Sequence, residues 1–201
     1  MKMNLFRTAL YFSLLVLASI IPTVQAQTTS CKDKVCFESS LKIAGQDIPV
    51  KGVELLEYLR FDLYTAALYA APEVKTIDAV LGNIPKSLVL HYHRGIKKEI
   101  MIKASRNRIL KNHAVDSVAL EDRLKQLDAA YQNVKKGDRY ELRYEPNIGT
   151  SLILNGKLQA TIKGADFQKA FFGVWLSRVP LNKNLRDRLL QAPQKKAVPE
   201  K

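Results

Sequence analysis

Two pairs of residues have the types and spacing to do chemistry. Cys31 and Cys36 are the only cysteines, with four residues between them. In an oxidising compartment such a pair closes a small disulfide loop, here one that would pin the first strand. A metal site would need further ligands nearby, and the spacing is not the Cys-x-x-Cys of a redox pair. A loop this short removes few unfolded conformations, so its stabilisation would be modest. His91 and His93 occupy alternate positions in LVLHYHRGI, and a strand presents both on one face. They could chelate a metal from one side, but no third ligand can be placed beside them. The expected role is therefore a pair of surface or groove histidines, and no metal site is assigned. A third feature is basic rather than paired. From Lys97 to Asn112, Lys97, Lys98, Lys103, Arg106, Arg108 and Lys111 oppose only Glu99. This reads first as a solvated helix face and second as a surface for anions or a membrane.

The elements that would position these residues follow from hydrophobic period. In Arg139 to Glu145, charged residues alternate with Tyr140, Leu142 and Tyr144, the pattern of a strand with one wet face. Runs at 151–154 and 158–162 flank Asn155-Gly156, a pair suited to a two-residue hairpin because both adopt positive φ readily. After Gly164 the period becomes helical, with Phe167, Ala170, Phe171, Val174 and Trp175 on one face. An aromatic helix face needs a sheet to cover. The fold class expected is α+β, an antiparallel sheet with helices packed on one face.

Upstream, strand-like pieces at 36–43 and 47–50 lead through Lys51-Gly52 into a long apolar stretch from Val53 to Ala71. That stretch reads as strands buried on both faces, although period alone also permits a helix. A short helix is expected at 74–81, a strand at 86–93 and a basic helix at 97–112. A second helix would carry Leu120, Leu124, Leu127, Tyr131 and Val134. Leu185 to Leu190 forms a short terminal helix, and 191–201 reads as a disordered tail.

The ends and the charge bear on location. Lys2 and Arg7 precede an apolar core from Ala9 to Ile21, and Val24-Gln25-Ala26 has the small residues of a cleavage site. Residues 1–26 are read as a signal peptide, placing residues 27–190 as one domain in the periplasm or outside the cell. Residues 27–201 keep 30 of the 32 basic residues, once Lys2 and Arg7 are removed, against 19 acidic ones. Such a charge suits anionic lipids or acidic small molecules. Nucleic acid is a poor partner for an exported chain whose basic helix at 97–112 has no aromatic residues interleaved among its cations.

KKGDRYELRYEPNIGTSLILNG, IKGADFQKAFFGVWLS and RVPLNKNLRDRLL, with FDLYTAALYAAP and LVLHYHRGI, together resemble the bacterial chalcone isomerase-like family. The resemblance runs from about Phe37 to Leu190. It implies an open-faced antiparallel β-sandwich with a cleft between sheet and helices. Plant chalcone isomerases close a flavanone ring with an arginine and polar groups stabilising the enolate, whereas related members hold a fatty acid by its carboxylate. Aligning LYTAALYAA puts Tyr64 where the binders have a tyrosine and the isomerases a threonine. Lys51 falls at or beside the family's arginine, with Arg60 or Glu57 reached by a small shift. KASRN places Asn107 at the catalytic asparagine, while the tyrosine expected seven residues earlier is Ile100. The resemblance thus implies a non-catalytic binder of a small amphipathic ligand such as a fatty acid, held by Tyr64, Lys51 and Asn107, without a cofactor. An isomerase or lyase, or a basic membrane- or partner-binding module, is the alternative.

Overall fold

A computed structural model describes residues 29–191 except 33 and 113–115. The signal-peptide reading, and all but Gln191 of the expected tail, lie outside the described residues. No described helix is long and apolar enough to cross a membrane.

Seven strands form one antiparallel meander in chain order: β3 (Ser40–Ile43), β4 (Gln46–Tyr58), β5 (Phe61–Tyr69), β6 (Lys86–Tyr92), β7 (Arg139–Glu145), β8 (Gly149–Leu154) and β9 (Lys157–Ile162). Before it, β1 (Thr29–Lys32) and β2 (Val35–Glu38) make a separate hairpin closed by the Cys31–Cys36 disulfide. Alternation assigns the sheet faces. Tyr64, Ala66 and Leu68 on β5, Leu88, Leu90 and Tyr92 on β6, and Tyr140, Leu142 and Tyr144 on β7 share one core with the helices. Those helices are α1 (Ile77–Val80), α2 (Lys98–Leu110), α3 (Glu121–Ala130), α4 (Ala165–Leu176) and α5 (Lys183–Leu190). On the other face Ala67, Tyr69 and Val89 meet Phe37, Ile43 and Ile48 in a smaller core. Tyr69 donates to the Glu38 carbonyl at 2.9 Å, and Arg139 donates to the Cys36 carbonyl at 2.8 Å while covering the Phe37 ring. These bonds hold the disulfide hairpin against the sheet.

The fold is α+β, as the alternation and helical period predict, but boundaries differ. Helix α3 ends at Ala130, so Tyr131 and Val134 of the expected second helix lie beyond it and Val134 bridges Ile96, and α1 is shorter than the expected 74–81. The strand expected at 36–43 breaks at Ser39 into β2 and β3. The piece at 47–50 continues through Lys51-Gly52 as the 13-residue β4, because a register shift between Val50 and Gly52 absorbs Lys51. The apolar stretch from Val53 divides into β4 and β5 at Leu59-Arg60, whose φ angles are +48° and +66°. A two-residue hairpin usually takes Asn or Gly at such positions, so the turn left no sequence signal. Asn155-Gly156, with φ of +50° and +78°, does carry one.

Gly52 marks where α5 closes onto β4. A Cβ there would lie 2.5 Å from the Leu189 carbonyl oxygen and 2.6 Å from that of Arg188. Both obstacles are backbone, so Gly52→Ala is expected to destabilise by about 1–3 kcal/mol, read as a lower urea midpoint. Lys86, at the start of β6, is fully buried. Its ammonium donates to the Gly82 and Ile84 carbonyls at 2.7 and 3.2 Å and lies over Tyr144 and Phe172. Burial pushes its pKa down to about 7. Between that value and the ordinary lysine range near 10, the unfolded chain holds a proton that the folded chain has released, so stability rises with pH. The urea midpoint should increase from pH 7 to pH 9, and Lys86→Met should lose that increase, on the order of 2 kcal/mol.

Candidate functional site

Between the sheet and the helices lies a cavity of about 310 Å³, at the lower end of the range of about 300–1,000 Å³ for small-molecule sites. The meander supplies its floor through alternate residues of β4 to β8, among them Leu56, Tyr64, Tyr92, Tyr140 and Leu152. Helix α2 supplies one wall through Ile100, Ala104 and Arg108, three residues at intervals of four and therefore on one side of the helix. Helix α4 supplies Val174 and Trp175.

Aromatic rings join these walls in a closed circuit. Tyr64 meets Tyr92 edge to face at 5.7 Å, Tyr92 meets Tyr140 at 6.3 Å, and Tyr140 meets Tyr131 at 5.9 Å. Tyr131 meets Phe171 at 6.4 Å and Phe171 meets Trp175 at 5.8 Å. The Trp175 indole N–H then donates to the Tyr64 hydroxyl at 3.0 Å. Every ring of the circuit except Phe171 lines the cavity.

The chemistry of the lining follows from its burial. Desolvation pushes Tyr64, Tyr92, Tyr131 and Tyr140 above the ordinary phenol range, so at neutral pH all four are protonated. They can donate hydrogen bonds but cannot act as bases. Two charged residues reach the cavity, Arg108 and the exposed Glu57. Arg108 has no hydrogen-bond or ion-pair partner among the described residues, in contrast to Arg106 two residues earlier. Arg106 binds Asp128 at 2.6 Å and Glu121 at 3.0 Å, tying α2 to α3. The site is apolar and aromatic within, with a guanidinium that no carboxylate among the described residues pairs with.

The family model for chalcone isomerase-like proteins matches residues 30–191. The chain belongs to the chalcone isomerase-like family. Among solved structures, the fold is similar to that of a fatty-acid binding protein of Arabidopsis thaliana, with a TM-score of 0.61 at 16% identity. The match covers 81% of this chain and 96% of that one. No curated protein matches. The identity is too low to carry residue roles across, so the likeness establishes the fold.

Of the residues that the family resemblance singled out, the structure brings Tyr64, Glu57 and Ile100 to the cavity. Lys51 is buried in the β4 bulge, where its ammonium donates to the Pro72 carbonyl at 3.2 Å, and it is not in the lining. Asn107 is exposed on α2 and also lies outside the lining. Arg60 is exposed at the β4–β5 turn. His91 and His93 are part of a separate polar track: His93 bonds Thr65 at 2.7 Å, and His91 accepts from Arg139 at 3.3 Å. No three His, Cys, Asp or Glu side chains among the described residues could hold a metal ion. Sequence reasoning did not single out Arg108, Tyr92, Tyr131 or Tyr140 as lining. The spacing Ile100, Ala104, Arg108 was the available signal, hidden in a helix whose cations point in several directions.

Trp175 is the only tryptophan, so its fluorescence reports this circuit alone. Tyr64→Phe removes the acceptor of a buried indole N–H, and a cost of about 1–3 kcal/mol is expected. The emission should shift to the blue and the urea midpoint should fall. An unchanged spectrum would mean that the Trp175–Tyr64 bond does not form in solution.

Proposed function

We propose that the protein is a non-catalytic binder of a single-chain amphipathic anion, with fatty acids as the ligand class, and that it works after export. The observation that carries the reading is the cavity itself: an apolar, aromatic interior with one unneutralised cation, Arg108. An alkyl chain inside would be released from water at roughly 0.8 kcal/mol per buried CH₂, while the guanidinium takes a carboxylate through two parallel hydrogen bonds. The orientation follows from charge. The described lining holds no cation besides Arg108, so a carboxylate sent among the tyrosines would lose its hydration without an ion partner. The head therefore stays with Arg108 and the tail runs toward Tyr64 and Trp175.

The buried lining groups are four neutral phenols, which stabilise charge but do not abstract a proton, and the lining carboxylate, Glu57, is exposed; this supports binding over proton abstraction. Export is supported by the signal-like composition of residues 1–26 and by the Cys31–Cys36 disulfide. The cations of α2 that the fold does not use support contact with an anionic surface; Arg106 is spent within the fold.

Native mass spectrometry of the protein recovered from the exported fraction should show a chain beginning at Gln27 with one acyl ligand bound. Palmitate added to the delipidated protein should change Trp175 emission at a stoichiometry of one. Arg108→Gln should weaken palmitate by about tenfold or more, as loss of a charge-assisted bond requires, while leaving the uncharged alcohol of the same length nearly unaffected. Equal losses for acid and alcohol would remove Arg108 as the head-group contact. No palmitate binding by the unaltered protein would overturn the ligand reading.

A further inference from the structure

The β4–β5 turn exposes what a protein surface ordinarily avoids. Tyr58, Leu59 and Phe61 are 63%, 74% and 55% exposed in succession around Arg60. Ile100 on α2 is 59% exposed. Tyr58 and Ile100 also line the cavity, so these two residues stand at its mouth, one from the sheet and one from the helix wall. The turn extends the apolar surface outward from that mouth.

The conformation serves the β4–β5 hairpin, but the residues that adopt it are not those the hairpin favours. Leu59 and Arg60 both have positive φ, a conformation that costs ordinary residues on the order of 1 kcal/mol each and that Asn-Gly would adopt more easily. Cations surround the exposed apolar groups. The Arg94 guanidinium lies 4.4 Å from the centre of the Phe61 ring. Lys97 and Lys103 stand one turn to either side of Ile100 along the chain, and Arg108 lines the cavity. Glu57, Asp62 and Glu99 are the acidic residues of the same segments, fewer than the five cations Arg60, Arg94, Lys97, Lys103 and Arg108. Arg60, Lys97 and Lys103 have no ion pair among the described residues.

We propose that this face docks on an anionic lipid bilayer, with Leu59 and Phe61 entering the headgroup region and the cavity mouth turned toward the lipid. Exposed aromatic and aliphatic side chains bordered by lysine and arginine have the chemistry of a peripheral membrane contact, where apolar insertion and attraction to anionic headgroups act together. The inference rests on the ligand reading above and deepens it, because a mouth that opens onto lipid lets an acyl chain pass without crossing water.

The test is flotation of the full chain with vesicles of equal parts phosphatidylglycerol and phosphatidylcholine, against vesicles of phosphatidylcholine alone. The protein should float with the anionic vesicles at low salt and much less with the neutral ones. The double variant Leu59→Asp, Phe61→Ser should lose at least about tenfold in partitioning while binding palmitate in vesicle-free solution as the unaltered protein does; neither residue lines the cavity. Retained palmitate binding also shows that the variant is folded. Lys97→Glu, Lys103→Glu should remove most of the dependence on salt. If the unaltered protein stays at the bottom of the gradient with anionic vesicles, the inference is overturned whatever the palmitate result. If the tip variant floats as well as the unaltered protein, attraction is purely electrostatic and insertion of the turn is overturned. Flotation lost in the tip variant, with palmitate bound by neither protein and the urea midpoint of the variant unchanged, sustains the docking surface and removes the ligand reading instead.

Discussion

The hydrogen bond from Trp175 to Tyr64, closing a circuit of edge-to-face aromatic rings, is the constraint on which the molecule's organisation turns. Helix α4 is buried on nearly every side, and its apolar residues alone would let it slide over the sheet. A directional N–H donor, buried and costly to leave unpaired, specifies one position. Edge-to-face contacts through Phe171, Tyr131 and Tyr140 then relate that position to α3's end and to β7. Because rings meeting edge to face do not fill space as stacked ones would, the same circuit that locates α4 also bounds a cavity.

Low polarity in that space governs what it can do. A phenol surrounded by other phenols and hydrocarbon keeps its proton, which turns four potential acid–base groups into neutral hydrogen-bond donors. The two arginines of α2 show how placement divides one chemistry into two uses. Arg106 faces α3, where Glu121 and Asp128 neutralise it and it becomes part of the scaffold. Arg108, less than a turn farther on, faces the cavity, where no carboxylate among the described residues binds it. A cation in that position is available to a ligand because the fold has not used it.

Much of the fold was legible in local pattern. The alternation of Arg139 to Glu145, the Asn-Gly hairpin and the helical period after Gly164 each correspond to an element with the expected faces. Such signals are strong because burial of one face imposes a period on a contiguous segment. The turn at Leu59-Arg60 was not legible, since it uses residues that bear no turn signature and lies inside a run of apolar ones. Lys51 was misleading for a related reason. A position matched by counting along a strand assumes regular register, and the bulge between Val50 and Gly52 breaks it.

By itself, then, the sequence determined the class of fold, the identity and order of most elements, the disulfide pair and the presence of a basic helix. Those properties depend on residues close in the chain or on residue type alone. Only the tertiary structure decided which cations face the ligand cavity and which serve the scaffold, and which apolar residues remain outside. Tyr64 and Trp175 are 111 positions apart, and nothing in either segment encodes the other's distance. Their meeting is set by how seven strands curl beneath one helix, and the cavity exists only where those long-range contacts leave space.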